Sequence, residues 1–379
     1  MAPAPTQLHR RSPSRRITAF ACLAAAALQS GCGGDEGTAG GGAGEGGGGG
    51  GTGGSLSGLH VDGNVIRNAS GREVRIHGVN RSGTEYACIQ GWGIFDGPSD
   101  ATSIAAIASW RANAVRVPLN EHCWLGINGV AAAYGGENYR RAISDYVDAI
   151  NQAGLLAILE LHWSAAGGTP ATGQAAMPDR DHSPTFWSQV AETFKGNDSV
   201  VFELFNEPYP DSNGDTAAAW TCWRDSGTCP GLGYAAAGMQ ELVDAVRGAG
   251  ATNLVLLGGV QYSNALAGWL SYMPFDPAGN LAAAWHVYNF NLCADADCYE
   301  ATAGPVLAQV PLVATEIGED DCRGEFITSL MTWLDARGGS YLSWVWDTWG
   351  GCLVLVSSYD GTPAGAYGQA YKDHLASLP

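Results

Sequence analysis

Beyond residue 57 the chain alternates two kinds of apolar pattern. Short β-branched runs recur as VRIHGVN (74–80), AVRVPLN (114–120), LLAILELHW (155–163), VVFELFNE (200–207), NLVLLGGVQ (253–261), AAWHVYN (283–289), PLVATEIG (311–318) and SYLSWVW (340–346). Between them lie stretches with apolar residues at helical spacing, including 103–112, 139–153, 183–196, 234–250 and 325–338. Ahead of the first run, Leu59 to Val74 alternates apolar and polar residues around a Gly-containing turn, which predicts a β-hairpin. Eight strands, each followed by a helix or a long loop, predict an α/β fold. Its form is a (β/α)8 TIM barrel in one domain over residues 56–379, with a short N-terminal hairpin.

Several of the runs end in polar or aromatic residues. Toward their C-terminal ends stand Asn80, Arg116, His162, Asn206 with Glu207, Gln261, His286 with Tyr288, Glu316, and Trp346. In a barrel these ends converge on one face, where chemistry is built from several strands. A carboxylate is costly to bury without partners, so Glu207 and Glu316 ending apolar runs are candidates for a facing catalytic pair. Arg116 can keep one of them ionised, and the Asn206 amide can bind a sugar hydroxyl. Glu160 and Glu203 fall at even spacing from His162 and Glu207 and read as polar residues deeper in the barrel.

The first residues follow another pattern. HRRSPSRR (9–16) is a basic segment, residues 17–29 form a short apolar segment, and Ser30-Gly31 precede Cys32. Residues 1–31 therefore read as an export signal resembling that of a bacterial lipoprotein, with Cys32 a candidate for lipidation and simple secretion the alternative. Residues 32–55 are glycine-rich and read as a flexible linker. The expected location is extracellular or anchored to a membrane. Eight further cysteines suit an oxidising compartment. Sequence proximity favours Cys222 with Cys229 and Cys293 with Cys298, leaving Cys88 with Cys123 and Cys322 with Cys352.

A formal net charge of −18, with 19 Lys+Arg against 37 Asp+Glu and no basic cluster after residue 20, offers no footprint for nucleic acid. No Cys/His set has metal-ligand spacing, no GxSxG elbow is present, and no GxGxxG follows a strand, so neither metal nor cofactor is expected. Thirteen tryptophans suit stacking on sugar rings or a large core.

Arg116 in VRVPLN, His162 in ELHW, FNEP at 205–208, HVY at 286–288, TEIG at 315–318 and Trp346 in WVWDTW resemble glycoside hydrolase family 5, the cellulase family. The resemblance covers about residues 58–379. It implies a retaining hydrolase with Glu207 as acid/base and Glu316 as nucleophile. Arg116, His162, Asn206, His286 and Tyr288 would support them, and Trp346 would lie under the sugar at the cleaved bond. Trp163 is a further candidate for binding substrate, although it, Trp92, Trp124 and Trp349 can equally belong to the core. The expected activity is that of a monomeric endo-β-1,4-glucanase acting on a β-linked polysaccharide or oligosaccharide. The alternatives are a β-mannanase, an exo-acting β-glycosidase, or a non-catalytic carbohydrate-binding lipoprotein. Long aromatic loops at 81–100 and 120–138, joined if Cys88 pairs with Cys123, are expected to wall one end of the cleft.

Overall fold

A computed structural model of the chain describes residues 56–227 and 229–379. The expected export signal, the linker and Cys32 lie outside the described residues. The first described strands, β1 (His60–Asp62) and β2 (Val65–Arg67), form the anticipated antiparallel hairpin. Eight further strands follow: β3 (His77–Asn80), β4 (Ala114–Asn120), β5 (Leu156–Trp163), β6 (Val200–Glu203), β7 (Val255–Gly258), β8 (Leu281–Tyr288), β9 (Leu312–Gly318) and β10 (Ser340–Ser343). They close in the order β10-β3-β4-β5-β6-β7-β8-β9, every pair parallel. With helices between the strands this is the (β/α)8 barrel that the pattern predicts.

Each apolar run contains a strand, but three strands stop three or more residues short of the runs' ends. β6 stops at Glu203, before Asn206 and Glu207; β7 stops at Gly258; and β10 stops at Ser343. Beyond β7, Gln261, Tyr262 and Ser263 all take positive φ, which turns the chain out of the ladder. The expected helices appear as Ala101–Ala108, Glu137–Gln152, Ser183–Phe194, Met239–Gly248 and Glu325–Asp335. Helices Ala217–Asp225, Ala296–Leu307 and Gly365–Ser377 were not among those expected. The first two start where Thr216 and Asp295 accept backbone N–H groups, and the second contains Pro305, which hides its periodicity.

Strand alternation sorts the interior. Along β5, Ala157, Leu159 and Leu161 belong to the core beneath the helices, with Phe186, Trp187 and Val190. Leu156 and Ile158 instead join Ile76, Ala114, Val201, Leu256, Ala284, Val313 and Leu342 in a second cluster. The hairpin residues Leu59 and Ile66 pack into that cluster and plug the N-terminal end of the barrel. Above the plug the inward side chains become polar: Arg116, Glu160, His162, Glu203 and His286. The charged layer therefore rests on a dry apolar floor.

One strand departs from alternation where it matters. Ala284 pairs with Val313 and His286 with Glu316, so β8 advances two residues while β9 advances three; β10 shows the same slip, from Tyr341↔Ala314 to Ser343↔Ile317. This β-bulge turns two successive side chains, Thr315 and Glu316, into the barrel.

All four expected cysteine pairs lie at bonding distance: Cys88–Cys123, Cys222–Cys229, Cys293–Cys298 and Cys322–Cys352. Such bonds are in keeping with an exported protein. Among the described residues no helix is long and apolar enough to cross a membrane.

Candidate active site

Arg116 is the hub of the polar layer. Its guanidinium is fully buried and donates through Nε to Glu203 Oε2 at 2.6 Å, through Nη1 to Glu316 Oε1 at 2.6 Å and to Asn80 Oδ1 at 2.9 Å, and through Nη2 to Asn206 Oδ1 at 2.9 Å. Glu160 Oε2 stands 3.5 Å from Nη2. Register explains the convergence: Asn80 lies opposite Arg116, and Glu160 opposite Glu203. Arg116 therefore binds the deeper glutamates and Glu316 at once.

Glu316 has a second donor. The Tyr288 hydroxyl gives its proton to Oε2 at 2.6 Å. Burial pushes the Glu316 carboxyl up, but the charges of His286, Arg116 and His162 and the Tyr288 bond outweigh it and hold the group below the usual carboxylate range. Glu316 is thus an ionised, positioned carboxylate with little freedom to move.

Glu207 sits differently. Its side chain is 20% exposed against 5% for Glu316, and Oε1 lies 2.9 Å from His286 Nδ1. His286 belongs to a directed chain. The Thr315 hydroxyl donates to Glu203 Oε1 at 2.7 Å, so it can only accept from His286 Nε2 at 3.1 Å. With Nε2 bearing a proton, Nδ1 can either donate to an ionised Glu207 or accept from a protonated one. Burial pulls the imidazole down, yet the surrounding Glu316, Glu203 and Glu207 carboxylates raise it to about 10. The positive charges of Arg116, which leads, and of His286 keep Glu203 ionised against its own burial, down to about 2.

His162 donates through Nδ1 to Glu160 Oε2 at 2.9 Å and is raised to about 9: burial lowers it, and the charge of Glu160 more than reverses that. Its ring stacks on Trp344 at 5.6 Å with planes 12° apart. Together His162, Trp344, Asn206, Glu207, Glu316, Tyr288, Tyr262, Phe290 and Gln174 line a cavity of about 440 Å³.

The tryptophan expectations need correction. Trp346 is not a sugar platform: it is fully buried, edge-on to Trp110 with centroids 4.8 Å apart. Because β10 ends at Ser343, its alternation does not reach that far, and Trp344 lines the cavity instead. Trp163 is half-buried beside Tyr86, with ring centroids 6.2 Å apart, and is not among the residues lining this cavity. Trp124 is core, whereas Trp92 and Trp349 are about half exposed.

Two polar residues escaped the sequence reading. Gln174 accepts from Asn206 Nδ2 at 2.9 Å and donates to the Glu207 carbonyl at 2.9 Å, but a lone glutamine in a loop carries no signal. Thr315 stood in the TEIG motif, yet only the bulge shows that it faces inward.

The geometry suits glycosyl transfer through two carboxylates. Carboxylate oxygens of Glu207 and Glu316, together with a ring nitrogen of His286, lie within 4.8 Å of one another. That spacing suits direct attack by one carboxylate and leaves too little room for a water in between. The same trio could in principle hold a metal ion, but the positive charges of Arg116 and His286 oppose a cation there.

Comparison with known proteins agrees with this geometry. The profile of the family described as Cellulase (glycosyl hydrolase family 5) matches residues 67–350. A mannan endo-1,4-beta-mannosidase of Salipaludibacillus agaradhaerens is 22% identical over 300 residues, 76% of this chain and 82% of the relative. The β-glucanase of Saccharophagus degradans in complex with cellotetraose superposes with a TM-score of 0.65 at 20% identity, covering 84% of this chain and 92% of that one. The catalytic domain of a mannanase from Streptomyces sp. SirexAA-E gives 0.58 at 21% identity, covering 84% and 90%. The profile match spans most of the folded chain, and on that ground the chain belongs to glycosyl hydrolase family 5, whose members are retaining O-glycosyl hydrolases.

Proposed function

We propose that the protein is an endo-β-1,4-glucanase in which Glu316 is the nucleophile and Glu207 the acid/base. The observation that carries the assignment is their unequal wiring. Glu316 is pinned between Arg116 and Tyr288 and held ionised, whereas Glu207 is the more exposed and shares a proton site with His286. In the first step a Glu316 oxygen attacks the anomeric carbon, the glycosidic C–O bond breaks, and the Glu207 proton passes to the departing oxygen. In the second, Glu207 takes a proton from water, the water oxygen bonds to the anomeric carbon, and Glu316 is released. His286 supports both states of Glu207, because its Nδ1 can accept or donate. Trp344, on the cavity wall against His162, supplies the apolar face for a sugar ring.

A β-mannanase is the second reading, favoured by the similarity to a mannan endo-1,4-beta-mannosidase over most of both chains. Reducing-end release from soluble cellulose, glucomannan, galactomannan and laminarin decides between them. Strong turnover of cellulose alone supports the glucanase, and preference for galactomannan replaces it. Glu316→Gln is expected to lower kcat on the preferred substrate by on the order of 10⁵-fold. A Glu316→Gln variant within tenfold of the wild type would refute the assignment.

A further inference from the structure

We propose a second polar site: a divalent transition-metal cation, of the Mn²⁺ or Zn²⁺ class, bound by Asp179, Asp181 and His182 in the loop between β5 and the Ser183–Phe194 helix. The ligating atoms of these three residues lie within 4.8 Å of one another. Asp179 is buried, His182 half-buried and Asp181 exposed, so the site has a protein wall behind it and an open side for entry.

The tautomer is set for ligation. His182 Nε2 lies 2.9 Å from the Gly167 carbonyl, which can only accept, so the proton is on Nε2 and the lone pair on Nδ1. A backbone carbonyl on the far nitrogen is the usual support of a metal-bound histidine. The Gly167 N–H also donates to Asp181 Oδ2 at 3.0 Å, holding that carboxylate beside the ring.

Charge supplies the independent argument. Behind Asp179 lies Glu121, equally buried, and the Ser183 hydroxyl bridges the two, 2.6 Å from Glu121 Oε1 and 3.5 Å from Asp179 Oδ2. Glu121 Oε2 is buried with no hydrogen-bond partner; it stands 3.5 Å from His122, whose ring meets that of His182 edge to face. His122 brings no charge: Nδ1 accepts from the Ala171 N–H and Nε2 donates to the Ala165 carbonyl, which is the neutral form. No lysine or arginine among the described residues pairs with Glu121, Asp179 or Asp181, and Arg180 pairs outward with Glu241. Asp179 and Asp181 have only backbone N–H and hydroxyl donors, from His182, Gly167 and Ser183, and a buried carboxylate beside an imidazole with no basic side chain calls for a cation. Two carboxylates with an imidazole suit Mn²⁺ or Zn²⁺ better than Mg²⁺ or Ca²⁺. The same loop carries Gln174, so the ion would stiffen the segment that orients Asn206 and Glu207.

The test is Mn²⁺ titration of the metal-stripped protein, followed by electron paramagnetic resonance and calorimetry, with Zn²⁺ in parallel. About one cation per chain is expected, weakened at least about tenfold in Asp181→Asn and in His182→Gln and unchanged in Glu316→Gln. Both site variants change accessible side chains, and circular dichroism confirms that they fold. Absence of stoichiometric uptake of either metal by the wild type overturns the site. So does uptake that survives both site variants but is lost in Glu316→Gln, since it would then lie in the catalytic cavity.

Discussion

The Arg116 centre and the Asp179 cluster both bury carboxylates, and they settle the charge in opposite ways. Around Arg116, the acids Glu160, Glu203 and Glu316 face one guanidinium and two imidazoles, His162 and His286. Around Asp179, the acids Glu121, Asp179 and Asp181 face no arginine or lysine among the described residues. The first arrangement needs nothing from outside and holds its dipoles ready before substrate arrives, which is what stabilising a developing charge requires. The second is complete only with a proton or a bound cation. Buried acid alone therefore does not announce catalysis; the countercharge decides between a preorganised site and a binding site.

Three experiments press on that contrast. The largest effect is expected from Arg116→Met, which strips the countercharge from the first centre. It should cost about 3–5 kcal/mol of stability by denaturant unfolding, because buried acids are left unpaired. A loss below about 1 kcal/mol would mean that water or protons already compensate them.

Stability against pH comes next. His162 and His286 are raised from 6.5 to about 9 and about 10, so their contribution is complete below pH 6.5 and disappears as the pH climbs through those values. Glu203, lowered from 4.5 to about 2, contributes above pH 4.5 and is lost as the pH falls toward 2. The His162→Gln variant should remove up to about 3 kcal/mol of the decline between pH 6.5 and 9. An unaltered alkaline limb would show that His162 is neutral in the folded protein.

The smallest effect has the opposite sign. In metal-stripped protein, Asp181→Asn removes a carboxylate that has a backbone donor but no basic partner and should raise Tm by about 2–4 °C, corresponding to about 1 kcal/mol. A fall in Tm would place a hidden countercharge in the cluster and remove the contrast with Arg116.

Much of the active centre was legible because each chemical group ends an apolar run. Arg116, His162, Asn206, Glu207, His286, Tyr288 and Glu316 all come together, since parallel strands closed in a ring carry their C-terminal ends to one face. The failures cluster where a strand ends or slips. Trp346 was placed by the resemblance carried by WVWDTW; even spacing from the inward-facing Leu342 reaches Trp344 and Trp346 alike, and only the course of the chain after β10 ends at Ser343 puts Trp344 on the cavity and Trp346 in the core. Gln174 and the Asp179-Asp181-His182 group lie in a loop, whose course follows from contacts with Glu121, Tyr209 and the Glu207 backbone rather than from a local period.

By itself the sequence determined the barrel, the hairpin, the cysteine pairs and the two glutamates, because hydrophobic period and chain proximity are local and survive without knowledge of neighbours. Only the tertiary structure decided how the charges are wired. Thr315 and Glu316 are adjacent, and strict alternation would send one of them out under the helices. The bulge in β9 turns both inward, one to carry the His286 chain and the other to face Glu207. A bulge is a property of register against two neighbouring strands at once, so it has no signature in the residues of one strand.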